Sequence, residues 1–160
     1  MAVHKKQSGF TLVEILIVVV ILGILASIVI PQFSNATDQS RAAAVASIVR
    51  TVQSKVFENF ATEGDYPTTV EDEWFVEGAT PSNPLASSPE SRIIINDTSA
   101  GSDETHPASK IVSSSGAFWY NPSNGSFRAL VPAKATEAET LALYNEANSS
   151  DISSISATSN

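Results

Sequence analysis

The sequence predicts an α+β protein in which one long N-terminal helix packs against a small antiparallel β-sheet. Three observations predict this fold: an apolar segment at residues 10–30, apolar residues spaced by three and four over residues 45–60, and three strand-like runs further on. A chain of 160 residues with such an apolar segment has room for one small water-soluble core. We expect the first half of the helix to span a membrane and the second half to be amphipathic.

Composition excludes several classes of function. The chain has no cysteine, so disulfides, zinc–thiolate sites and thiol nucleophiles are excluded. Its formal net charge of −8 disfavours direct binding of nucleic acid, whose phosphates an acidic surface repels. The sequence shows no paired acid and base, metal-ligand cluster or phosphate-binding loop, and we therefore expect no enzymatic activity.

The apolar segment, residues 10–30, is FTLVEILIVVVILGILASIVI. As a helix it would be about 30 Å long, which matches the hydrocarbon core of a bilayer. Lys5 and Lys6 come just before it, so the positive-inside rule places the leader, residues 1–9, in the cytoplasm and the rest of the chain across the membrane. The segment is interrupted by Thr11, Glu14, Gly23 and Ser27.

Glu14 is the one ionisable residue between Gly9 and Ser34. A carboxylate in hydrocarbon is costly unless it is paired or neutralised. Residues 8–14, SGFTLVE, resemble the cleavage and methylation signature of type IV prepilins and type II secretion pseudopilins. The resemblance implies a pilin-like fold, cleavage after Gly9 by a prepilin peptidase, removal of the leader, and N-methylation of Phe10.

The resemblance also gives Glu14 a partner. In filaments of this family the glutamate faces the terminal amine of a neighbouring subunit, which here is the amine of Phe10. An alternative for Glu14 is snorkelling to the lipid headgroups. The family further implies assembly roles for Gly23 and Pro31, where helix order is often lost in the filament, although a simple proline kink explains Pro31 equally well.

A conventional secretory signal is the main alternative for the N-terminus. Lys5 and Lys6 would form its basic region, and Ser34-Asn35-Ala36 would form a small-x-small cleavage site. The mature chain would then begin at Thr37 and would be a secreted binding protein. An acidic residue beside the hydrophobic region and the length of that region weaken this alternative.

The rest of the helix and the globular head follow from hydrophobic spacing. Residues 32–63 form an amphipathic continuation that ends at Gly64, and residues 64–147 form the head. The apolar stripe of the continuation consists of Val45, Ile48, Val49, Val52, Val56 and Phe60. We expect this stripe to pack against the head, with Trp74 and Phe75 covering it.

Three runs in the head have strand composition. They are residues 92–96, 117–120 and 127–131, and the last two flank a turn at residues 121–125 that predicts a hairpin. Residues 134–147 predict a short helix. The serine-rich tail, residues 148–160, has few apolar anchors, and we expect it to be flexible.

An acidic loop, residues 96–104, concentrates the oxygen ligands that calcium prefers. Major pseudopilins of type II secretion bind calcium in a head loop, so the resemblance makes calcium a possible cofactor. Asp97, Asp103 and Glu104 are the candidate ligands. Their spacing does not match an EF-hand, and acidic loops rich in serine and glycine are commonly just solvated.

The function that the resemblance implies is that of a filament subunit. Tyr66-Pro67, the stretch at residues 119–125 and the absence of a disulfide loop favour a type II secretion pseudopilin. Major or minor type IV pilins, which serve adhesion, motility or DNA uptake, are the alternatives.

The partners implied are other copies of the chain, the prepilin peptidase, an inner-membrane assembly platform and, before assembly, membrane lipid. The precursor is expected to cross the inner membrane once, with its head in the periplasm or outside. After assembly the chain would lie in a periplasmic or cell-surface filament.

Overall fold

The computed structural model describes residues 9–88 and 90–159, without the side chains of residues 29–35. The chain divides into two compact units between Thr37 and Asp38. Most of the predicted leader lies outside the described residues. The regular elements are helix α1 (Leu12–Glu63), strands β1 (Ile94–Asn96), β2 (Phe118–Asn121) and β3 (Ser126–Ala129), and helix α2 (Glu137–Asn148).

Helix α1 ends where the sequence predicts. Its last residue is Glu63, and Gly64 follows with a φ of 88°, a left-handed conformation that favours glycine and commonly ends helices. Pro31 is included in the helical backbone of α1. The proline kink and the loss of helix order in the filament stay predictions.

One stripe of α1 forms a wall of the core in the second unit. The stripe differs from the predicted one in three ways: Ala42 and Ala46 are buried as well, Ile48 is half-buried, and Phe60 is exposed. Phe60 is 38% exposed and stacks on Tyr66 with ring centroids 4.3 Å apart. The fully or almost fully buried members of the stripe are Ala42, Val45, Ala46, Val49, Val52 and Val56.

The α+β class is confirmed, but the predicted antiparallel sheet is wrong, because the sheet is mixed. Strands β2 and β3 form the expected antiparallel hairpin, with Phe118 opposite Ala129. Strand β1 instead runs parallel to β2, with Ile94 beside Phe118. The reason is the long connection between them, residues 97–117, which returns the chain to the same end of the sheet as parallel pairing requires.

Two side-chain amides form hydrogen bonds to the backbone at the outer edge of strand β3. Gln53 on α1 accepts a hydrogen bond from the Phe127 amide at 3.0 Å and donates one to the Gly125 carbonyl at 2.6 Å. Asn148 on α2 accepts from the Ala129 amide at 2.7 Å and donates to the Ala129 carbonyl at 3.0 Å. Both helices are therefore tied to the same strand by amides that imitate a neighbouring strand.

Helix α2 begins with a capping box, in which the side chains of Thr136 and Glu139 each accept a hydrogen bond from the other's backbone amide. It ends at Asn148 beside Ser149, whose φ is 50°. The helix lies within a few residues of the predicted one. Its buried side chains include Leu143, Tyr144 and Ala147, which belong to the core of the second unit.

The serine-rich tail has more anchors than its composition indicates, because it packs against the rest of the second unit, and its predicted flexibility stays a prediction. Ile152 is 4% exposed and belongs to the hydrophobic core. The Thr158 carbonyl accepts hydrogen bonds from the amides of Thr105 and His106 at 2.8 and 3.0 Å. The buried Lys110 ammonium donates to the Ala157 carbonyl. Composition did not reveal these contacts, since most of them use backbone carbonyls.

Gly125 offers a test of the hairpin turn. Its φ is 71°, and a Cβ there would lie 2.4 Å from Tyr66 Cδ1 and 3.1 Å from Val56 Cγ1. We expect Gly125→Ala to lower the free energy of unfolding by about 2–4 kcal/mol, from left-handed strain plus overpacking. The measurement is urea unfolding of the detergent-solubilised protein, followed by tryptophan fluorescence.

Gly78→Ala is the matched control, because Gly78 has a φ of 63° but open space around its Cα. Gly78→Ala should lower the free energy of unfolding only by the left-handed strain, about 1–2 kcal/mol. Equal losses in the two variants would show that the contact of Gly125 with Tyr66 has no energetic consequence.

Candidate functional site

The N-terminal end of α1 is built around Thr11 and Glu14. Thr11 precedes the first helical residue, and its amide and hydroxyl donate to Glu14 Oε2 at 2.7 and 2.8 Å. In return, the Glu14 amide donates to Thr11 Oγ1 at 3.2 Å. This reciprocal pair is a capping box, which satisfies amides that a helix start leaves without intrahelical partners.

The role of Thr11 was missed in the sequence analysis. The signal that could have found it is the T-x-x-E spacing of Thr11 and Glu14 immediately before an apolar run, which is the pattern of a capping box. Glu14 is therefore held by a local partner within its own chain. The structure describes one chain, so the predicted pairing with the Phe10 amine of a neighbour stays a prediction.

The large apolar side chains of residues 10–28 are exposed on every face of α1. Their exposed fractions range from 51% at Ile21 to 85% at Phe10. Isolated apolar residues are normal at a protein surface, but a continuous apolar surface of this length marks contact with a membrane or another protein. The described chain itself does not cover this surface.

No helix of the described residues meets the combined requirement of length and apolarity for crossing a membrane. The predicted span reaches Ile30, and the side chains of residues 29–35 are outside the described part. The predicted role of the Pro31 side chain is likewise outside it.

Gly9 and Gly23 lie in open space. Among the described residues, no atom would lie within 4 Å of a Cβ added to either glycine, so packing against that part of the chain does not require glycine at these positions. The predicted roles of Gly9 in processing and of Gly23 in assembly stay predictions.

The three candidate calcium ligands of the acidic loop do not form a ligand group. Among the described residues, no three acidic, histidine or cysteine side chains are placed to share a metal ion. Asp97 Oδ1 accepts hydrogen bonds from the amide and hydroxyl of Ser99 at 3.2 and 2.7 Å, and Oδ2 accepts one from Trp119 Nε1 at 3.2 Å. These hydrogen bonds lower the pKa of Asp97, and the bond from the Ser99 hydroxyl has the largest effect.

Asp103 and Glu104 do not join this network through their carboxylates. Asp103 is exposed and Glu104 is partly exposed. The loop is instead contacted by two asparagines of the hairpin turn, Asn121 and Asn124, which the sequence analysis assigned to local turn geometry.

Comparison with known proteins points to the same N-terminal segment. Residues 4–30 match the family model of the prokaryotic N-terminal methylation motif. No solved structure matches the chain.

Three relatives are similar to parts of the chain. The type II secretion system core protein G of Pseudomonas aeruginosa is 41% identical over 70 residues, which cover 41% of this chain and 46% of the relative. A fimbrial protein of Pseudomonas aeruginosa is 36% identical over 103 residues, covering 62% and 66%. A type IV narrow pilus major component of Thermus thermophilus is 45% identical over 49 residues, covering 31% and 42%.

The chain thus spans a little under half of the length of the core protein G that it matches. The similarity includes the motif that contains Gly9, Phe10 and Glu14. The chain therefore carries the prepilin-type N-terminal methylation motif and is similar to a type II secretion core protein and to fimbrial and type IV pilus proteins.

Proposed function

We propose that the chain is a non-enzymatic structural subunit of a type IV pilus-like filament. The observation that carries the proposal is the apolar surface of residues 10–28, exposed on every face and interrupted by the carboxylate of Glu14. Water is an unfavourable environment for such a surface. A lipid bilayer can bury it before assembly, and a bundle of identical helices can bury it afterwards.

The carboxylate of Glu14 would have a different partner in each of the two environments. In the single chain it bonds to the amide and hydroxyl of Thr11. After cleavage, the Phe10 amine of a neighbouring subunit offers a charged partner at the same depth. Because an unpaired charge in an apolar bundle is strongly penalised, this pair would fix the axial register of the subunits more than it would add stability.

Within this class we propose a type II secretion pseudopilin first, on the similarity to core protein G. A type IV pilin is the second candidate, because similarity to the fimbrial protein extends over 62% of the chain rather than 41%. In both cases we propose a single-pass inner-membrane precursor, processed by a prepilin peptidase and assembled from an inner-membrane platform. A conventional secretory signal would instead give a mature chain that starts at Thr37.

Gly9→Val tests the processing step. A Cβ at Gly9 would meet none of the residues that the structure describes, so the variant should fold and insert normally. We expect cleavage to be blocked, because a β-branched side chain replaces the glycine just before the proposed scissile bond. The measurement is the intact mass of the membrane-extracted protein. Normal removal of residues 1–9 from the variant would contradict the proposed cleavage site.

Thr11→Val tests the capping box in the cleaved single chain. Valine keeps the shape of threonine but loses the hydroxyl that bonds to Glu14 in both directions. We expect the first turn of α1 to lose about 1 kcal/mol, seen as roughly fivefold faster amide exchange at residues 12–15 in detergent micelles. Thr11→Ser retains the hydroxyl and should behave like wild type. Wild-type exchange in Thr11→Val would exclude a capping role.

Glu14→Ala tests the filament function itself. The variant makes the apolar segment more apolar, so membrane insertion and cleavage should persist, but the neighbour's Phe10 amine would lose its partner. Removing one member of a buried charge pair costs about 3–5 kcal/mol, so filament yield should fall by at least about tenfold. Filaments are counted by electron microscopy after membrane location and cleavage have been verified.

Ser27→Ala is the control for the Glu14 experiment. It also removes a polar side chain from the apolar segment, but the Ser27 hydroxyl bonds to the Ile24 carbonyl of its own helix. Its filaments should match wild type. Normal filament number and helical order from Glu14→Ala would overturn the registration mechanism.

A further inference from the structure

Several backbone carbonyls of the acidic loop converge on the side chains of one turn. Calcium takes about six to eight oxygen ligands, many of them backbone carbonyls. Here the converging carbonyls are those of Ala100, Gly101, Ser102 and Glu104, and they accept hydrogen bonds from side chains of the turn between β2 and β3. The groups that they meet are the side chains of that turn.

Two asparagine amides supply the hydrogen bonds. Asn121 Nδ2 donates to the carbonyls of Gly101 and Glu104 at 2.9 and 2.8 Å. Asn124 Nδ2 donates to the carbonyls of Ser102 and Glu104 at 3.0 and 2.9 Å. The Glu104 carbonyl therefore accepts two hydrogen bonds, which use both of its lone pairs. The Gly101 carbonyl also accepts two, because the Glu104 amide donates to it at 3.1 Å.

The orientation of each amide is fixed by its oxygen. Asn121 Oδ1 accepts from the Ser123 amide at 2.9 Å, and Asn124 Oδ1 accepts from the Ser126 amide at 2.9 Å. A flipped amide would place its NH₂ group against these donors, so the NH₂ groups must face the loop. Asn121 is completely buried, which makes its hydrogen bonds costly to lose.

We propose that the amides of Asn121 and Asn124 hold the acidic loop in the role that calcium has in related heads, and that the loop does not require calcium. The residues present do not fit that ion: the converging carbonyls already accept hydrogen bonds, and both oxygens of Asp97 are engaged by Ser99 and Trp119. Four partly positive N–H groups organise the carbonyls without adding net charge. This proposal is independent of filament assembly.

Asn→Asp variants isolate the proposed donors. Aspartate keeps the oxygen that accepts from Ser123 or Ser126 and replaces the NH₂ group with a second, negatively charged oxygen, which accepts hydrogen bonds but cannot donate them. The test is hydrogen exchange, read by mass spectrometry, of residues 97–105 in the full-length protein in detergent. In chelator, Asn121→Asp and Asn124→Asp should each speed exchange of this segment by about tenfold. Wild type should exchange at the same rate in chelator and in millimolar calcium.

Asn59→Asp makes the same chemical change on helix α1 and should leave the segment at its wild-type rate. Exchange in β2, β3 and α2, recorded in the same experiment, reports whether each variant is folded. If the buried Asn121→Asp unfolds the second unit, the partly exposed Asn124→Asp decides the result. Slower exchange of the wild-type segment in calcium, or wild-type rates in a folded Asn124→Asp, would overturn the proposal.

Discussion

The core of the second unit depends on the packing of small side chains from the helix against large aromatic side chains from the sheet. Helix α1 contributes small side chains, Ala42 and the buried valines, whereas the strands contribute rings, with Phe118 and Phe127 stacked at 5.2 Å between centroids. Small residues on one surface let large ones on the other approach closely and fill the space between. Valine is a modest helix former, so this part of α1 gains its stability from burial rather than from intrinsic propensity.

The sequence predicted best those features that depend on residues close together in the chain. Glu14 is conspicuous because a charge in an apolar segment needs a partner, and Gly9 and Phe10 complete a signature that the family comparison matches. The stripe on α1 and the β2–β3 hairpin were also predicted, since helical spacing and an asparagine–glycine turn are local features. A spacing of three and four between apolar residues can be recognised without knowing the rest of the fold.

The features that were missed depend on distant parts of the chain. The parallel pairing of β1 follows from the path of residues 97–117, which no local pattern describes. The tail is packed through backbone carbonyls and through Ile152, so its serine-rich composition was misleading. The amides of Asn121 and Asn124 were assigned to turn geometry, which they do provide, while their NH₂ groups bond about twenty residues away. Composition identifies a polar group but not the partner that it finds after folding.

The two edges of the sheet offer few free backbone groups for pairing with another strand, which matters most when many copies are close together. A filament would hold its globular units side by side at high local concentration, where an open strand edge invites pairing between neighbours. Gln53 and Asn148 accept hydrogen bonds from the amides of Phe127 and Ala129 on the outer edge of β3, and β1 at the other edge is only three residues long. Such units can pack closely without forming amyloid-like strand pairs with their neighbours. Contacts between the helices would then determine the order along a fibre.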